Sequence, residues 1–341
     1  MKTVLLTGGG GYIGSVLLEN LLESGFKVRV IDRFFFGRKL LADLEGGDRL
    51  VVIKDDTRYL EPSVLKGIDV IMDLAGISND PACDLDPKIT EDINLNGPRR
   101  LAAMAKDTGV PHYIYSSSCS VYGQGSDDPL NEEAPTAPVS LYARSKIEAE
   151  DALLRIADNS FVVTLLRNAT AYGVSKRMRF DLVINLMTLH AYKNRRIYVT
   201  GGGKQWRPLV HVQDIARAFV SVMQAPRQKV AGQVFNVGAN EQNYQVYRIA
   251  QMIRDVVPHT DVEVVPDDPD RRSYCVDFSK IKHTLDFTVQ KSPYEGIVEI
   301  KQALERGKID DTISTKTVHY YRYLLEAEKL LKEVSYNGRI F

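Results

Sequence analysis

An α/β fold built on a doubly wound parallel sheet is the architecture this sequence predicts, and three observations predict it. Short β-type runs alternate with helical patterns through the first half, a glycine-rich turn joins the first run to the first helix, and an aspartate closes the second run. Alternation of this kind sets parallel strands side by side with crossover helices on both faces.

The runs fall at residues 3–7, 28–32, 51–53, 70–74, 113–116 and 161–166. Between the first two, Ile13, Val16, Leu17 and Leu21 share one helical face and Gly25 follows as a stop signal, which completes a βαβ unit. After about residue 170 the pattern becomes irregular, with glycine turns at 201–203 and an acidic, proline-bearing loop at 266–272. The expected organisation is a larger domain over 1–169 and a smaller α/β domain over 170–341. The helical stretch 213–223 and the strand-like 233–237 are expected to return to the main sheet. Segments within about 210–240 thus belong to the first domain, and the two are interleaved. At the tail, Tyr320, Leu324, Ala327, Leu331 and Val334 recur at helical spacing, which reads as a core-packing face.

Composition narrows the function. The 341 residues are 44% apolar and can bury a large core without staples. Formal net charge is zero, from 44 basic and 44 acidic residues, so no global field draws the chain to nucleic acid or an anionic membrane. Cys83, Cys119 and Cys275 are an odd number at no metal or redox spacing, which reads as reduced thiols of a cytoplasmic protein. The opening MKTVLLTGG runs straight into a strand and turn, leaving no room for a signal core, and no apolar run reaches the ~18 residues of a membrane helix. Six histidines without ligand pairing lead to an expectation of no metal.

In TGGGGYIG, Gly8, Gly11 and Gly14 stand three apart between a strand and a helix. The first permits a tight turn, the second lets backbone approach a pyrophosphate, and the third allows close helix packing. With Asp32 closing the next strand, the context is that of a Rossmann dinucleotide site. Asp32 can accept from both ribose hydroxyls and would repel a 2′-phosphate, so NAD is favoured over NADP.

Tyr142 and Lys146, in YARSK, are four apart on a helix whose start is signalled by Pro138 and Ser140. Tyr172 and Lys176 share that spacing, but Gly173 and loop composition interrupt any helix there. What distinguishes the first pair is the serine run 116–118 at the end of a strand, where open α/β sheets bind ligands.

Together TGGGGYIG, Asp32, SSSCSVYG, YARSK and GGGKQWRPLVHVQD resemble the extended short-chain dehydrogenase/reductase family, especially its UDP-galactose 4-epimerase group. The resemblance covers most of the chain and implies an NAD-dependent enzyme acting on a nucleotide-linked sugar. It implies that Gly8, Gly11, Tyr12, Ile13, Gly14 and Asp32 contact the cofactor and that Asp56 contacts the adenine. Leu74, Ala75, Gly76 and Asn94 would also line the dinucleotide. Ser118, Tyr142 and Lys146 would form the catalytic triad, with Tyr142 and Lys146 also touching the cofactor. Arg207 would grip the substrate diphosphate.

A sugar carbinol carbon has no acidic hydrogen, so the chemistry must remove hydride to NAD while a base takes the hydroxyl proton. Tyr142 is the expected base, with its pKa of about 10 lowered by Lys146 and the nicotinamide charge. Ser118 would donate to, or relay the proton from, the same oxygen.

Departures from the family pattern matter. Where related dehydratases carry Asp-Glu, this chain has Cys119 and Ser120, which disfavours 4,6-dehydration. A Cys119 base is an alternative to a small buried thiol. The family's diphosphate asparagine falls at Thr170, and the arginine of the late uridine-site motif falls at Asp267, for which Arg271 or Arg272 could substitute. The pattern RMRFDL with DPDRRSYCVDFSKI also resembles a subgroup that includes carbon 4 dehydrogenases of nucleotide-linked heptoses. The expectation is an epimerase acting through transient oxidation at carbon 4. A net carbon 4 dehydrogenase is the alternative, a 4,6-dehydratase ranks lower, and a non-catalytic NAD-sensing regulator is the reading from a different class. By family analogy the partners are a nucleotide-sugar substrate and a second copy of the chain, paired through segments 90–106 and 141–157.

Overall fold

The structure, a computed structural model, describes residues 1–125, 128–265 and 272–340. Seven parallel strands form its main sheet: β1 (Thr3–Thr7), β2 (Lys27–Asp32), β3 (Leu50–Lys54), β4 (Val70–Asp73), β5 (His112–Ser118), β6 (Val162–Asn168) and β10 (Gln233–Val237). They lie in the order β3-β2-β1-β4-β5-β6-β10. The chain thus winds outward from β1 in one direction and then, through β4, in the other, which is a Rossmann-like α/β arrangement. Each of the six runs expected from the sequence is a strand, with bounds shifted by no more than two residues.

Both faces of this sheet are covered, which is why its strands read as apolar runs rather than alternating ones. Along β1, Val4 and Leu6 enter one core with Val16, Leu17 and Leu21, while Leu5 enters the other with Leu101, Ala105 and Leu153. The first core continues without a break into the later part of the chain through Phe180, Ile184, Ile197, Ile249 and Ile300. The two lobes therefore share packed side chains.

Strand β10 joins the sheet late, pairing with β6 in the register Gln233↔Thr164 to Val237↔Asn168. The second lobe holds two small sheets. In one, β9 (Trp206–His211) lies between β7 (Thr170–Tyr172), to which it is parallel, and β11 (Asn243–Gln245), to which it is antiparallel. In the other, β8 (Arg196–Val199) pairs with β12 (Asp261–Val264).

The tail departs from expectation. Thr317–Val334 is a helix, but Thr317 is its only fully buried residue, and Leu331 and Val334 are about half exposed. Its first turns lie on the loop after β2: the Tyr321 ring packs against Phe35 and Phe36 at 5.9 and 5.6 Å, and the Tyr320 hydroxyl donates to the Phe35 carbonyl at 2.9 Å. Its apolar spacing serves this aromatic contact, and the later turns run out into solvent. No helix among the described residues is long and apolar enough to cross a membrane.

Candidate active site

One cavity of about 700 Å³ opens at the carboxyl ends of the central strands, where the strand order reverses at β1 and β4. The glycine turn forms one wall. Gly8 has φ +69°, and a side chain there would meet the backbone of Leu74 and Ala75 at 2.9 Å. A Cβ on Gly14 would lie 2.0 Å from the Gly8 carbonyl oxygen, so only glycine lets the helix Tyr12–Glu23 start this close to β1. Its first-turn residues Tyr12, Ile13 and Gly14 line the cavity, where the N–H groups that a helix start leaves unpaired attract an anion.

Asp32 sits at the end of β2, mostly buried. Its carboxylate accepts from the Gly10 N–H at 2.9 Å and the Phe34 N–H at 2.6 Å, while burial pushes its pKa above the usual range. Asp56 is already paired: Arg33 and Arg58 each approach to 2.7 Å and hold its carboxyl well below the usual carboxylate range despite partial burial. Beneath the loop after β4, Thr7 Oγ1 donates to Asp73 at 2.5 Å and accepts from the Leu74 and Ala75 N–H groups at 3.0 Å. This locks Leu74, Ala75 and Gly76 along the cavity wall.

Asn94 stands against the loop after β4. It is fully buried and lies behind the wall, where its side chain accepts from Ile77 N at 2.8 Å and donates to Ile77 O at 3.0 Å. Through these bonds Asn94 fixes the loop that carries Gly76 along the cavity wall.

Ser118 ends β5, and the helix Leu141–Ile156 brings Tyr142 and Lys146 up beside it. Ser140 caps that helix, accepting from the Ala143 N–H at 3.2 Å. Lys146 Nζ donates to the Ser116 carbonyl at 2.8 Å and to the Tyr115 hydroxyl at 3.1 Å, and lies 4.5 Å from the Tyr115 ring centroid. Burial pulls its pKa down to about 8, against the raising influence of Asp73. Burial pushes the Tyr142 phenol up, as do Asp80 and Cys83, while its interaction with Ser118 pulls the other way. A cation and a hydroxyl thus flank a phenol whose anion would need both. The pair Tyr172 and Lys176 does not form such a site: Tyr172 is in β7, its hydroxyl donating to the Lys291 carbonyl at 3.0 Å, and Lys176 pairs with Glu19 and Asp43.

At the two positions where dehydratases carry acids, the side chains part. Cys119 is buried outside the cavity, its thiol donating to the Arg167 carbonyl at 3.1 Å, and burial raises its pKa well above the usual value. Ser120 does line the cavity, and its buried Oγ has no partner among the described residues. Asn168 Oδ1 and Gln205 Oε1 on the same wall are likewise buried without partners. Such orphaned polar atoms fit a cavity whose polar ligand completes them.

On the far side, Thr170 is half-buried and Arg207 is 8% exposed, its Nη1 donating to the Trp206 carbonyl at 2.8 Å and also to the Arg272 carbonyl. Arg272 reaches back across the cavity to pair with Asp80, whose other oxygen accepts from the Ser140 hydroxyl. Arg271 and Asp267 lie outside the described residues. One cavity therefore gathers Gly8, Gly11, Tyr12, Ile13, Gly14, Asp32, Asp56, Leu74, Ala75, Gly76, Ser118, Tyr142, Lys146, Thr170 and Arg207. Sequence reasoning gave no cavity role to Arg177, Arg179, Asp80 or Tyr321, which line it too. For the two arginines the local signal was the pattern RMRFDL, which carries no indication of which side its arginines face.

Residues 4–238 match the profile of the "NAD dependent epimerase/dehydratase family". UDP-glucuronic acid decarboxylase 1 of Xenopus tropicalis is 28% identical over 95% of this chain and 73% of its own length. UDP-glucose 4-epimerase of Corynebacterium glutamicum is 26% identical over 87% of this chain and 93% of its own. Among solved structures, MoeE5 in complex with UDP-glucose and NAD superimposes with a TM-score of 0.78 at 25% identity, covering 90% of this chain and all of that one. By name these relatives are a UDP-glucuronic acid decarboxylase, a UDP-glucose 4-epimerase and a protein that binds UDP-glucose and NAD. A profile match running through the glycine turn, Ser118, Tyr142, Lys146 and β10 makes this chain a member of the NAD dependent epimerase/dehydratase family.

Proposed function

We propose that the chain is an NAD-dependent nucleotide-sugar epimerase that works by transient oxidation at carbon 4 of the sugar. The observation that carries this reading is the pairing of an assembled Ser118, Tyr142 and Lys146 with no acid at positions 119 and 120. Elimination of water needs a group to protonate the leaving hydroxyl. Ser120 is a neutral hydroxyl, and Cys119 faces away with a thiol that burial keeps protonated.

In this reading Tyr142 takes the proton of the 4-hydroxyl, Ser118 donates to the same oxygen, and Lys146 stabilises the phenolate and holds the nicotinamide ribose. When bound along Gly8 to Gly14 and Asp32, NAD supplies a reversible hydride acceptor. Arg207 grips the substrate diphosphate, with Thr170 beside it. Residues 1–169, with returning segments about 210–240, serve the cofactor, and 170–341 serve the nucleotide-sugar. We place the protein in the cytoplasm as a homodimer. Three buried, unbridged thiols favour a reducing compartment, and the helices Gly97–Asp107 and Leu141–Ile156 are the proposed pairing surface.

The test is incubation with UDP-, GDP-, CDP- and dTDP-hexoses and UDP-glucuronic acid, with product analysis and absorbance near the NADH band. An isomer with no lasting NADH supports epimerisation. Stable NADH or a released keto sugar would replace it with a net dehydrogenase, and a pentose product with a decarboxylase. Catalysis by Tyr142 is abandoned if Tyr142→Phe turns over every accepted substrate at the wild-type rate.

A further inference from the structure

The segment after β7 carries two arginines into the cavity, and their surroundings differ. Arg179 is matched by a carboxylate, its Nε and Nη2 donating to the two oxygens of Asp181 at 2.9 and 3.1 Å. Arg177 is 5% exposed, yet no carboxylate among the described residues pairs with it. Its Nη2 donates to Thr317 Oγ1 at 2.9 Å, its guanidinium lies 3.6 Å from the Phe36 ring centroid, and its Nε has no hydrogen-bond partner.

A guanidinium keeps its proton at any pH where proteins work, and burial lowers that of Arg177 only to about 10. The carboxylate whose field reaches it is Asp181, which also accepts both hydrogen bonds from Arg179, so two buried guanidiniums share one carboxylate and the surplus cation suits an anion that arrives from outside. The neighbours say where. Ser175, two residues before Arg177, donates to the Tyr12 carbonyl at 2.8 Å and meets Ser15 Oγ at 3.0 Å, which places the segment beside the helix start whose N–H groups also attract an anion. Asp32 makes no ion pair with Arg177: its oxygens accept from the Gly10 and Phe34 N–H groups and keep lone pairs for the ribose hydroxyls. Thr317 opens the C-terminal helix, which also clasps Phe35 and Phe36 through Tyr320 and Tyr321.

We propose that Arg177 is a second half of the dinucleotide diphosphate site, facing the first turn of the helix Tyr12–Glu23, and that the C-terminal helix latches it there through Thr317. This rests on the glycine turn being the NAD site. The latch makes cofactor release slow: a bound diphosphate, Arg177, Phe36 and the helix form one closed set of contacts, and the dinucleotide leaves only when that set loosens.

The test is calorimetric titration of the NAD-stripped protein with NAD, ADP and adenosine, using wild type, Arg177→Met, Arg177→Lys and Thr317→Val. Loss of a charge-assisted contact should weaken NAD and ADP binding by roughly 10- to 100-fold in Arg177→Met while leaving adenosine within about twofold. Arg177→Lys should recover part of the loss, and Thr317→Val should raise the NAD release rate measured by stopped flow. Unchanged NAD affinity in Arg177→Met, or an equal loss for adenosine, overturns the proposal. If Arg177→Met does not fold, Arg177→Lys and Thr317→Val decide: wild-type affinity in the first with a wild-type release rate in the second overturns it. Wild-type protein that binds neither NAD nor ADP would instead overturn the assignment of the glycine turn.

Discussion

Replacing Lys146 with methionine should make the NAD-free protein more stable relative to wild type at neutral pH and abolish its turnover. The reasoning starts from burial: Lys146 is 6% exposed, and its pKa falls from 10.5 to about 8. At about 1.36 kcal/mol per pH decade, holding it charged at pH 7 costs the folded state about 3 kcal/mol relative to the unfolded chain. The depressed pKa belongs to a cation, so the penalty is full below pH 8. It is relieved between about 8 and 10.5, where the unfolded chain still binds a proton that the folded chain has released. Methionine keeps the apolar stem and removes the titration. Loss of the hydrogen bonds to the Ser116 carbonyl and the Tyr115 hydroxyl offsets part of the gain but shifts it by a similar amount at each pH. Urea unfolding of both proteins at pH 7, 8, 9 and 10 isolates the effect, because every other group titrates in both and cancels. The wild type should gain about 2–3 kcal/mol on Lys146→Met between pH 7 and 10. A difference that is flat across that range, or that moves the other way, would refute the claim that Lys146 is a desolvated cation held against its preference.

Three further outcomes follow from the packing. Gly14→Ala places a Cβ 2.0 Å from the Gly8 carbonyl, so it should cost about 3 kcal/mol or more by thermal melting and eliminate NAD binding by calorimetry. Cys119→Ala should leave kcat within about twofold and cost about 1 kcal/mol in stability, since the thiol lies outside the cavity and donates only to the Arg167 carbonyl; a tenfold fall in kcat would return Cys119 to the chemistry. Glu150→Ala strands Arg167, which it holds at 2.7 Å in the sheet interior, and should cost about 3–5 kcal/mol in urea unfolding. NAD affinity of the surviving folded protein should change little, because neither partner lines the cavity.

The parts of the site that could be read from the chain are those whose geometry is local. Gly8 and Gly14 must be glycines because of contacts within one turn and its neighbouring strand end, and Asp32 marks the end of the next strand in the same βαβ unit. Tyr142 and Lys146 share a face because a helix repeats every 3.6 residues, and Ser140 announces where that helix begins. The parts that could not be read depend on which way a side chain turns or on a partner far along the chain. Asn94 fits a family position, but only packing shows that Ile77 takes both ends of its carboxamide. Cys119 and Ser120 are adjacent, yet one turns into the core beneath Arg167 and the other toward the cavity.

The C-terminal helix shows the division most clearly. Its periodicity predicted helix over residues 320–334, and the observed helix, Thr317–Val334, starts one turn earlier. Periodicity identifies an apolar stripe and says nothing about what meets it. Here Tyr320 of the stripe and its neighbour Tyr321 meet Phe36 and Phe35, and Thr317 meets Arg177 across 140 residues of chain. From the sequence by itself came the glycine turn, the helix that carries Tyr142 and Lys146 and the parallel sheet, because each is written in spacing along a few residues. Only the tertiary structure decided how the cavity is walled and closed, because a buried cation and its distant hydroxyl come together through the whole fold rather than through any local rule.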